Sequence, residues 1–396
     1  MPAKGFRTAG HPPTLAAALV HFDVSFMVWV LLGALGAYVS TDLDLTSFQK
    51  GLMVAVPPLG GAAFRLLLGS LADRVGLKRT GLVSMALTAI PLAWGWLAAG
   101  TYAQVLGIGL LLGIAGASFV VALPLVSRWY PPERQGLALG IAGAGNSGTL
   151  IAALAAPRLA EHVGWHGVFG LAIIPVVLSW LAFALLAKEP PRPTAPAGGL
   201  FGLLAERDAR WLCTFYMVSF GSFVGLSAYL PIFFVDRFVL GKVTAASVAA
   251  LCASAGSFLR PVGGALADRV GGTRVIVVVF SVVAGLAGSL SVLPPLAPTV
   301  VLLFAVLGAL GVANGAVFQL VPQRFPARVG GVTGLVGAAG GLGGFFLPFG
   351  LGALRQVTGT FAAGFVLFAV VAGVAGLAMV RRQRVWRTAW DLQVAI

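Results

Sequence analysis

The chain carries the stretch Gly69-Ser-Leu-Ala-Asp-Arg-Val-Gly-Leu-Lys-Arg79, which recurs almost unchanged as Gly264-Ala-Leu-Ala-Asp-Arg-Val-Gly-Gly-Thr-Arg274. The offset of 195 residues is close to half of the 396-residue chain. In both copies an arginine, Arg65 or Arg260, stands inside the apolar run that precedes the motif. The sequence therefore predicts a duplicated structural unit with one arginine in each half.

Composition identifies the environment of both halves. Hydrophobic residues make up 59% of the chain, charged residues only 10%, and the mean hydropathy is +0.97. Such values, with repeated apolar runs long enough to span a bilayer, predict a polytopic helical membrane protein and exclude a soluble one. The 54 glycines fit this prediction, because small residues let transmembrane helices approach closely. Only two cysteines occur, so neither a disulfide framework nor a metal site is expected.

Twelve transmembrane helices are predicted from the apolar runs. They cover residues 14–39, 49–70, 79–98, 103–127, 136–157, 167–187, 211–235, 245–267, 274–293, 297–321, 330–354 and 360–380. We predict an N-terminal bundle of six helices over 1–187 and a C-terminal bundle of six over 211–396, which ends in a basic cytoplasmic tail. The segment 188–210 begins with prolines, glycines and charges, as expected of a cytoplasmic linker.

The distribution of positive charge predicts the topology. Of the 26 lysines and arginines, 19 fall in the termini, the central segment and the loops on one side of the predicted helices. The loops on the opposite side hold only five, namely Lys50, Arg158, Arg237, Lys242 and Arg355. The positive-inside rule therefore places both termini in the cytoplasm of a protein integral to the cell (inner) membrane. The formal charge of +14 is explained by this topology and by contact with anionic lipid, so no nucleic-acid partner is expected.

The duplicated loop G-x-L-A-D-R-x-G resembles the loop signature of the major facilitator superfamily. Its charged residues, at the predicted cytoplasmic helix ends, are candidates for a role in gating. The residues of this motif are Gly69, Asp73 and Arg74 in the first copy and Gly264, Asp268 and Arg269 in the second. The resemblance implies two six-helix bundles that give alternating access to one central site near the middle of the membrane.

The position of the two arginines predicts an anion site. Arg65 precedes Asp73 by eight residues, so it lies about 12 Å deeper in a helix, near the middle of a hydrocarbon core about 30 Å thick. A central arginine costs about 2.5–3.5 kcal/mol on insertion scales, which favours a functional reason for keeping two of them. The alternative is a structural role, with each guanidinium hydrogen-bonded to carbonyl groups. Because guanidinium is planar and offers paired donors, a small oxyanion is the expected ligand.

Glycine-rich stretches in the fifth and eleventh predicted helices narrow the choice of anion. The first stretch contains Gly145-Asn146-Ser-Gly, and the second runs from Gly334 to Gly344. Together with the two arginines, they resemble the nitrate/nitrite porter family of the major facilitator superfamily. The resemblance covers nearly the whole chain, and it implies that nitrate or nitrite is the substrate.

The same resemblance implies a set of substrate-binding residues. The arginines would hold the anion oxygens, the asparagine would donate a hydrogen bond, and the aromatic rings would contact or stack on the anion. The residues are Arg65, Arg260, Asn146, Tyr216, Phe119, Phe220, Gly145 and Gly340. Gly341 stands where an asparagine is expected, so only backbone contact is predicted in that region.

Asp23 is the candidate proton-coupling residue. The segment His21-Phe-Asp23-Val-Ser-Phe resembles the branch of the family associated with proton-coupled nitrate uptake. Asp23 is the one acidic residue of the first half inside a predicted helix, where protonation would lower the cost of crossing the membrane. The alternative is a structural carboxylate near the amino terminus of the first helix.

Nitrate/proton symport by a monomer is therefore the expected function. Two other transport functions stay open, namely exchange of nitrate for nitrite and transport of organic monoanions or drugs by the same fold. No cofactor is expected. No nucleophile or cluster of acid and base residues stands in the predicted helices, so an enzyme is not expected.

Overall fold

A computed structural model describes residues 9–131, 138–139, 141–190, 200–325 and 328–389. Within these ranges the secondary structure is helical and contains no strand. The N-terminal helices are α1 (Pro12–Trp29), α2 (Leu31–Ala34), α3 (Gly36–Asp42), α4 (Ser47–Val75), α5 (Leu77–Leu97), α6 (Tyr102–Gly116), α7 (Phe119–Ser127) and α8 (Gly148–Leu186), with a 3₁₀ turn at Ala144–Ser147 before α8. The C-terminal helices are α9 (Leu200–Ala205), α10 (Arg207–Phe238), α11 (Lys242–Val270), α12 (Gly272–Leu290), α13 (Leu296–Arg324), α14 (Val329–Thr358) and α15 (Ala362–Ala389).

Ten helical runs within the described residues have the length and composition needed to cross a membrane. Two differences from the twelve predicted spans explain the number. The run Ile141–Leu186 contains two predicted helices, since Gly164 (φ 69°, ψ 166°) is not helical and interrupts α8. The span 14–39 is not one continuous helix, as predicted, because Val30 and Leu35 divide it into α1, α2 and α3. The all-helical membrane fold is confirmed.

The N-terminus of α1 is fixed by its own residues. His11 is the N-cap, and its Nδ1 accepts a hydrogen bond from the backbone N–H of Thr14 (3.1 Å). Pro12 and Pro13 follow, where a missing N–H has no cost in the first turn of a helix. Desolvation and the neighbouring Lys188 lower the pKa of His11, which favours the neutral ring that the cap requires.

The chain forms two compact units. Unit 1 contains residues 1–35 and 59–196, and unit 2 contains residues 36–58 and 197–396. The predicted linker 188–210 includes α9, while residues 191–199 lie outside the described residues. Helix α4 belongs to unit 2 before Leu59 and to unit 1 from that residue onward.

Glycines bring equivalent helices together in each unit. In unit 1, a Cβ on Gly113 of α6 would overlap the backbone of Gly60 in α4. In unit 2, a Cβ on Gly311 of α13 would overlap the backbone of Gly256 in α11. Lipid gives little hydrophobic drive for helix association, so this close backbone packing is a main source of cohesion. It fixes α4 and α11, the helices that carry Arg65 and Arg260.

Substitution of Gly311 by alanine is expected to destabilise the protein by about 1–3 kcal/mol, because the added methyl group has no space. Gly285→Ala is the matched control, since Gly285 lies in the interior of α12 and nothing lies within 4 Å of its Cβ position. The thermal unfolding midpoint of the purified protein in detergent measures the effect. Equal midpoints for the two variants would contradict the packing argument.

The two copies of the duplicated loop have the same backbone shape. Gly76 (φ 98°) and Gly271 (φ 96°) follow α4 and α11 in a conformation that side chains rarely adopt. Beyond Gly76, the carboxylate of Glu189 accepts hydrogen bonds from the backbone N–H groups of Leu77 and Lys78, both at 2.7 Å. This carboxylate caps the amino terminus of α5, where a negative charge is favourable.

The charged residues of this motif lie at the surface. Asp73, Arg74, Asp268 and Arg269 are exposed at the ends of α4 and α11. Gly69 and Gly264 precede them, and the Cβ position of each has no neighbour closer than 4 Å. A role of these six residues in gating stays a prediction.

Candidate functional site

Arg65 is buried in the interior of unit 1. Its side chain is 3% exposed, and Nε donates a hydrogen bond to the carbonyl oxygen of Gly116 at 3.1 Å. Gly61 lies one helical turn before Arg65, at the point where α4 packs closely on α6. This packing holds Arg65 in the buried interior of unit 1. A hydrogen bond from the guanidinium group to a carbonyl group is what a purely structural role of Arg65 predicts.

A break between α6 and α7 frees the carbonyl group of Gly116. In a regular helix, the N–H of Val120 would donate to Gly116 O, but it donates to Ala117 O instead (3.1 Å). Ser118 N likewise donates three residues back, to Ala115 O. The helix break therefore supplies Arg65 with a backbone acceptor in the apolar interior. The sequence prediction of a continuous helix over 103–127 missed this break.

Two aromatic rings flank the guanidinium group of Arg65. Its Cζ lies 5.4 Å from the ring centroid of Trp29 and 5.7 Å from that of Phe119. The Trp29 ring fits against Gly61 and Gly116, where a Cβ would approach it within 3.2 and 2.5 Å. Each ring is within the range of a cation–π interaction, which stabilises a desolvated cation.

Arg260 has a similar environment in unit 2. Its Nη2 donates to the hydroxyl oxygen of Tyr216 at 3.3 Å, and Cζ lies 6.0 Å from the Phe220 ring centroid and 5.4 Å from the Phe318 ring centroid. Tyr216 and Phe220 are stacked, with centroids 5.0 Å apart and an interplanar angle of 6°. Within the described residues no carboxylate forms an ion pair with Arg260.

Two of the rings, those of Trp29 and Phe318, were not predicted from the sequence. A signal for Phe318 was present, because Gly315-Ala-Val-Phe318 repeats the pattern of Gly116-Ala-Ser-Phe119. Trp29 gave no comparable signal, since its role depends on how α1 is rotated against α4. Each unit therefore holds one arginine between aromatic side chains from two neighbouring helices.

Helix α1 packs on the glycine-rich 3₁₀ turn at the position of Asp23. A Cβ on Gly145 would lie 2.9 Å from the backbone nitrogen of Asp23, and one on Gly148 would overlap the carbonyl oxygen of the same residue. In unit 2, a Cβ on Gly343 would overlap the carbonyl oxygen of Met217 in the same way. Asp23 thus occupies in unit 1 the place that an apolar methionine holds in unit 2.

The half-buried Asp23 carboxylate has one hydrogen-bond partner among the described residues, the exposed side chain of Ser147. Its Oδ1 accepts a hydrogen bond from Ser147 Oγ at 2.6 Å. The counterpart of Ser147 at the offset of 195 residues is Leu342, so this polar pair has no equivalent in unit 2. Asp23 is eleven residues beyond Pro12, far from the amino terminus of α1, which argues against the helix-terminus alternative.

The remaining predicted residues lie in the glycine-rich segments. Asn146 is half-buried in the 3₁₀ turn, and its backbone carbonyl oxygen accepts a hydrogen bond from Thr149 Oγ1 at 2.8 Å. Gly340 packs against Tyr216 and Phe220, because a Cβ there would come within 2.5 and 2.9 Å of their rings. Both glycines predicted to contact substrate, Gly145 and Gly340, are positions of close helix packing.

The sequence matches the Major Facilitator Superfamily over residues 17–348. This match covers well over half of the chain. The chain belongs to the major facilitator superfamily. A solved structure of similar fold is that of a bacterial homologue of the human lysosomal transporter Spinster. This major facilitator protein matches it with a TM-score of 0.74 and 18% identity, over 96% of this chain and 98% of the other.

Within the superfamily, this major facilitator protein is similar to proteins named for nitrate and nitrite. It is 37% identical to the "Probable nitrate/nitrite transporter NarK2" of Mycobacterium tuberculosis, over 89% of this chain and 91% of the relative. It is 34% identical to the "Nitrite extrusion protein" of Bacillus subtilis, over 88% of both chains. It is also 30% identical to the "Probable nitrate transporter NarT" of Staphylococcus epidermidis, over 90% of this chain and 92% of the relative. Membership of the nitrate/nitrite porter family is confirmed.

Proposed function

We propose that this protein carries nitrate, and also nitrite, across the membrane by alternating access, with nitrate/proton symport as its mode. Family membership supports the substrate class, since the relatives are named as transporters of these two anions. The bundles 1–187 and 211–396 would move as the two halves of the transporter, joined by the linker 188–210. The protein would act as a monomer in the cell membrane with both termini in the cytoplasm.

One observation carries the proposal, namely the environment of Arg260. This cation lies in a hydrophobic unit, between two aromatic rings and without a carboxylate partner among the described residues. A half-buried cation of this kind in a membrane protein is costly unless an anion compensates it. Arg65 occupies the corresponding place in unit 1, and we propose that both guanidinium groups bind the same anion.

The aromatic rings favour a small planar anion. Guanidinium donors bind two oxygens in one plane, and the flat faces of Phe119 and Phe220 suit an anion that is itself flat. Asn146 and Tyr216 would add neutral hydrogen-bond donors, and Gly145 and Gly340 would let the backbone approach. Nitrate and nitrite are small, planar and singly charged, so they fit this set of donors better than a tetrahedral dianion does.

Symport is favoured over exchange by the asymmetry at Asp23. An exchanger needs no titratable group, whereas this chain places a carboxylate where the second unit has Met217. The carboxylate would carry the coupling proton, and Ser147 would stabilise its ionised form by donating a hydrogen bond. Exchange of nitrate for nitrite stays the alternative.

Transport by purified protein in liposomes tests the function. Nitrate entry is measured with an imposed pH gradient, and then without a gradient but with nitrite inside. Symport predicts accumulation in the first condition, and exchange predicts entry only in the second. Absence of nitrate entry in both conditions would overturn the proposed substrate.

Competition measures the size and shape selectivity of the site. Chlorate and nitrite are expected to inhibit nitrate uptake, because each is a small singly charged oxyanion. Sulfate and lactate are expected to have little effect at equal concentration, since the first carries two charges and the second is bulkier. Strong inhibition by lactate would favour the transport of organic monoanions instead.

A further inference from the structure

Three charged residues form a cluster in unit 2 at the end opposite the Gly264–Arg274 loop. Asp236 lies near the end of α10, Lys50 near the start of α4 and Arg355 near the end of α14. Lys50 Nζ donates to both carboxylate oxygens of Asp236, at 3.0 and 3.1 Å. Arg355 Nη1 donates to Oδ2 of the same carboxylate. We call these three residues the charged cluster.

The charged cluster is largely withdrawn from solvent. The side chains of Lys50, Asp236 and Arg355 are 18%, 11% and 20% exposed. At this depth a carboxylate shared by two cations is worth more than a surface ion pair. Arg355 also lies 4.4 Å from the centroid of the Phe361 ring, which fixes its guanidinium beside Asp236.

Close backbone packing accompanies the charged cluster. Gly51 follows Lys50, and Gly352 precedes Arg355 by three residues. A Cβ on Gly352 would lie 2.6 Å from the carbonyl oxygen of Ser47 and 2.7 Å from Gly51 Cα. The backbone N–H of Phe48 also donates a hydrogen bond to Gln356 Oε1 at 3.4 Å. The start of α4 therefore lies directly on α14.

A third basic residue holds the chain just before α4. Lys242 Nζ, at the start of α11, lies 4.7 Å from the centroid of the Tyr38 ring in α3. Two of the five cations predicted on this side thus link residues 36–58 to the rest of unit 2, Lys50 through Asp236 and Lys242 through Tyr38. The positive-inside rule treats these cations only as exceptions. Their contacts give them a common role, which is to hold residues 36–58 on the rest of unit 2.

Residues 36–58 are covalently part of the N-terminal half but pack as part of unit 2. The change of unit occurs within α4, directly after the pair Pro57-Pro58. Prolines inside a helix remove backbone hydrogen bonds and make it easier to bend. Arg65 lies beyond this pair and is bound in unit 1.

We infer that the charged cluster is a latch that holds residues 36–58 on unit 2 in the conformation described here, and that it opens when the protein changes conformation. This inference rests on the proposed transport function in one respect only, namely that transport is the reason why the conformation changes. Asp236 is the central element of the latch, since both cations bind its carboxylate. Loss of this carboxylate leaves two cations side by side, which repel each other and favour release.

Thiol labelling in lipid nanodiscs tests the latch without any nitrate. The reporter is Val54→Cys, because Val54 is 1% exposed and lies one helical turn beyond Lys50 in α4. A hydrophilic maleimide should react slowly with the reporter in the parent sequence. With Asp236→Asn the rate should rise at least about tenfold, as expected when the two ion pairs of the charged cluster are lost. An unchanged rate would overturn the inference.

Asp44→Asn is the matched control, because it removes the same charge from an exposed residue on the same side. Asn also tolerates the positive φ of 46° at this position. This variant should label at the parent rate, and an increase equal to that of Asp236→Asn would reject the latch in favour of a general charge effect.

Buried Cys252 reports unfolding in the same experiment, since its side chain is fully buried in α11. If Asp236→Asn also exposes Cys252, the variant is partly unfolded and Lys50→Met is tested in its place. Lys50→Met removes one cation of the charged cluster and keeps an apolar side chain of similar length. Faster labelling of Val54→Cys with Cys252 still protected supports the latch, and an unchanged rate rejects it. A protein that fails to take up nitrate in liposomes would give the same labelling rates. The latch and the proposed transport function can therefore be rejected independently of each other.

Discussion

Replacement of Arg260 by lysine is expected to weaken nitrate binding by at least about a hundredfold, which corresponds to about 2.7 kcal/mol. Lysine keeps the positive charge but loses the planar pair of donors and the contacts of the guanidinium group with the rings of Phe220 and Phe318. The Tyr216 hydroxyl also loses its donor. Nitrate binding to the purified protein, measured by calorimetry, gives the affinity directly.

Arg274→Lys is the matched control, because Arg274 is exposed on α12 and outside the candidate site. It should bind nitrate like the parent. Arg65→Lys should weaken binding in the same way. Because Arg65 also donates a hydrogen bond to Gly116 O, this variant must first be shown to fold. Parent-like affinity in Arg260→Lys would mean that this guanidinium does not bind the anion.

Replacement of Asp23 by asparagine is expected to abolish nitrate accumulation driven by a proton gradient. Asparagine is permanently neutral, so it mimics the protonated carboxyl group and cannot release a proton on the other side. Parent uptake should rise as the external pH falls, because protonation of Asp23 from that side is favoured. The variant should lose this dependence and should still exchange bound nitrate. Both are measured as nitrate uptake into liposomes over a series of external pH values.

Ser147→Ala separates the carboxylate from its hydrogen bond. This variant keeps Asp23 and removes only the donor at 2.6 Å. Uptake should therefore still depend on pH, unlike that of the asparagine variant. If Asp23→Asn still concentrates nitrate with normal pH dependence, Asp23 is structural, and coupling must be sought elsewhere or exchange must be accepted.

Hydropathy predicted the fold well because lipid leaves a chain few alternatives. A span must satisfy its backbone internally, so long apolar runs such as 245–267 became helices such as α11. The same reasoning failed where tertiary contacts replace helical hydrogen bonds. The breaks at Val30, Leu35 and Ala117–Ser118 lie in apolar runs that resemble uninterrupted helices. Window averages cannot detect a break that adjacent helices stabilise.

The candidate site was predictable where a residue is chemically unusual for its surroundings. Arg65, Arg260 and Asp23 are ionisable residues inside apolar segments, so each stood out from the sequence. The Trp29 ring did not, because a tryptophan in a membrane helix is ordinary and its contact with Arg65 depends on helix rotation. Ser147 was also missed, since a small hydroxyl among glycines looks like packing until its distance to Asp23 is known.

The oxygen that accepts the Arg65 hydrogen bond belongs to the main chain, and this limits what genetics can reveal. No codon change at position 116 deletes that carbonyl group. Side-chain scanning there would report only the crowding against Trp29, whose ring leaves no room for a methyl group. A library screen would therefore score position 116 as a steric site, and its polar role would escape detection. Chemical synthesis with an ester in place of the Gly116–Ala117 amide would weaken the acceptor without adding an atom and would expose the contact, although it also removes the Ala117 N–H that donates to Gly113 O.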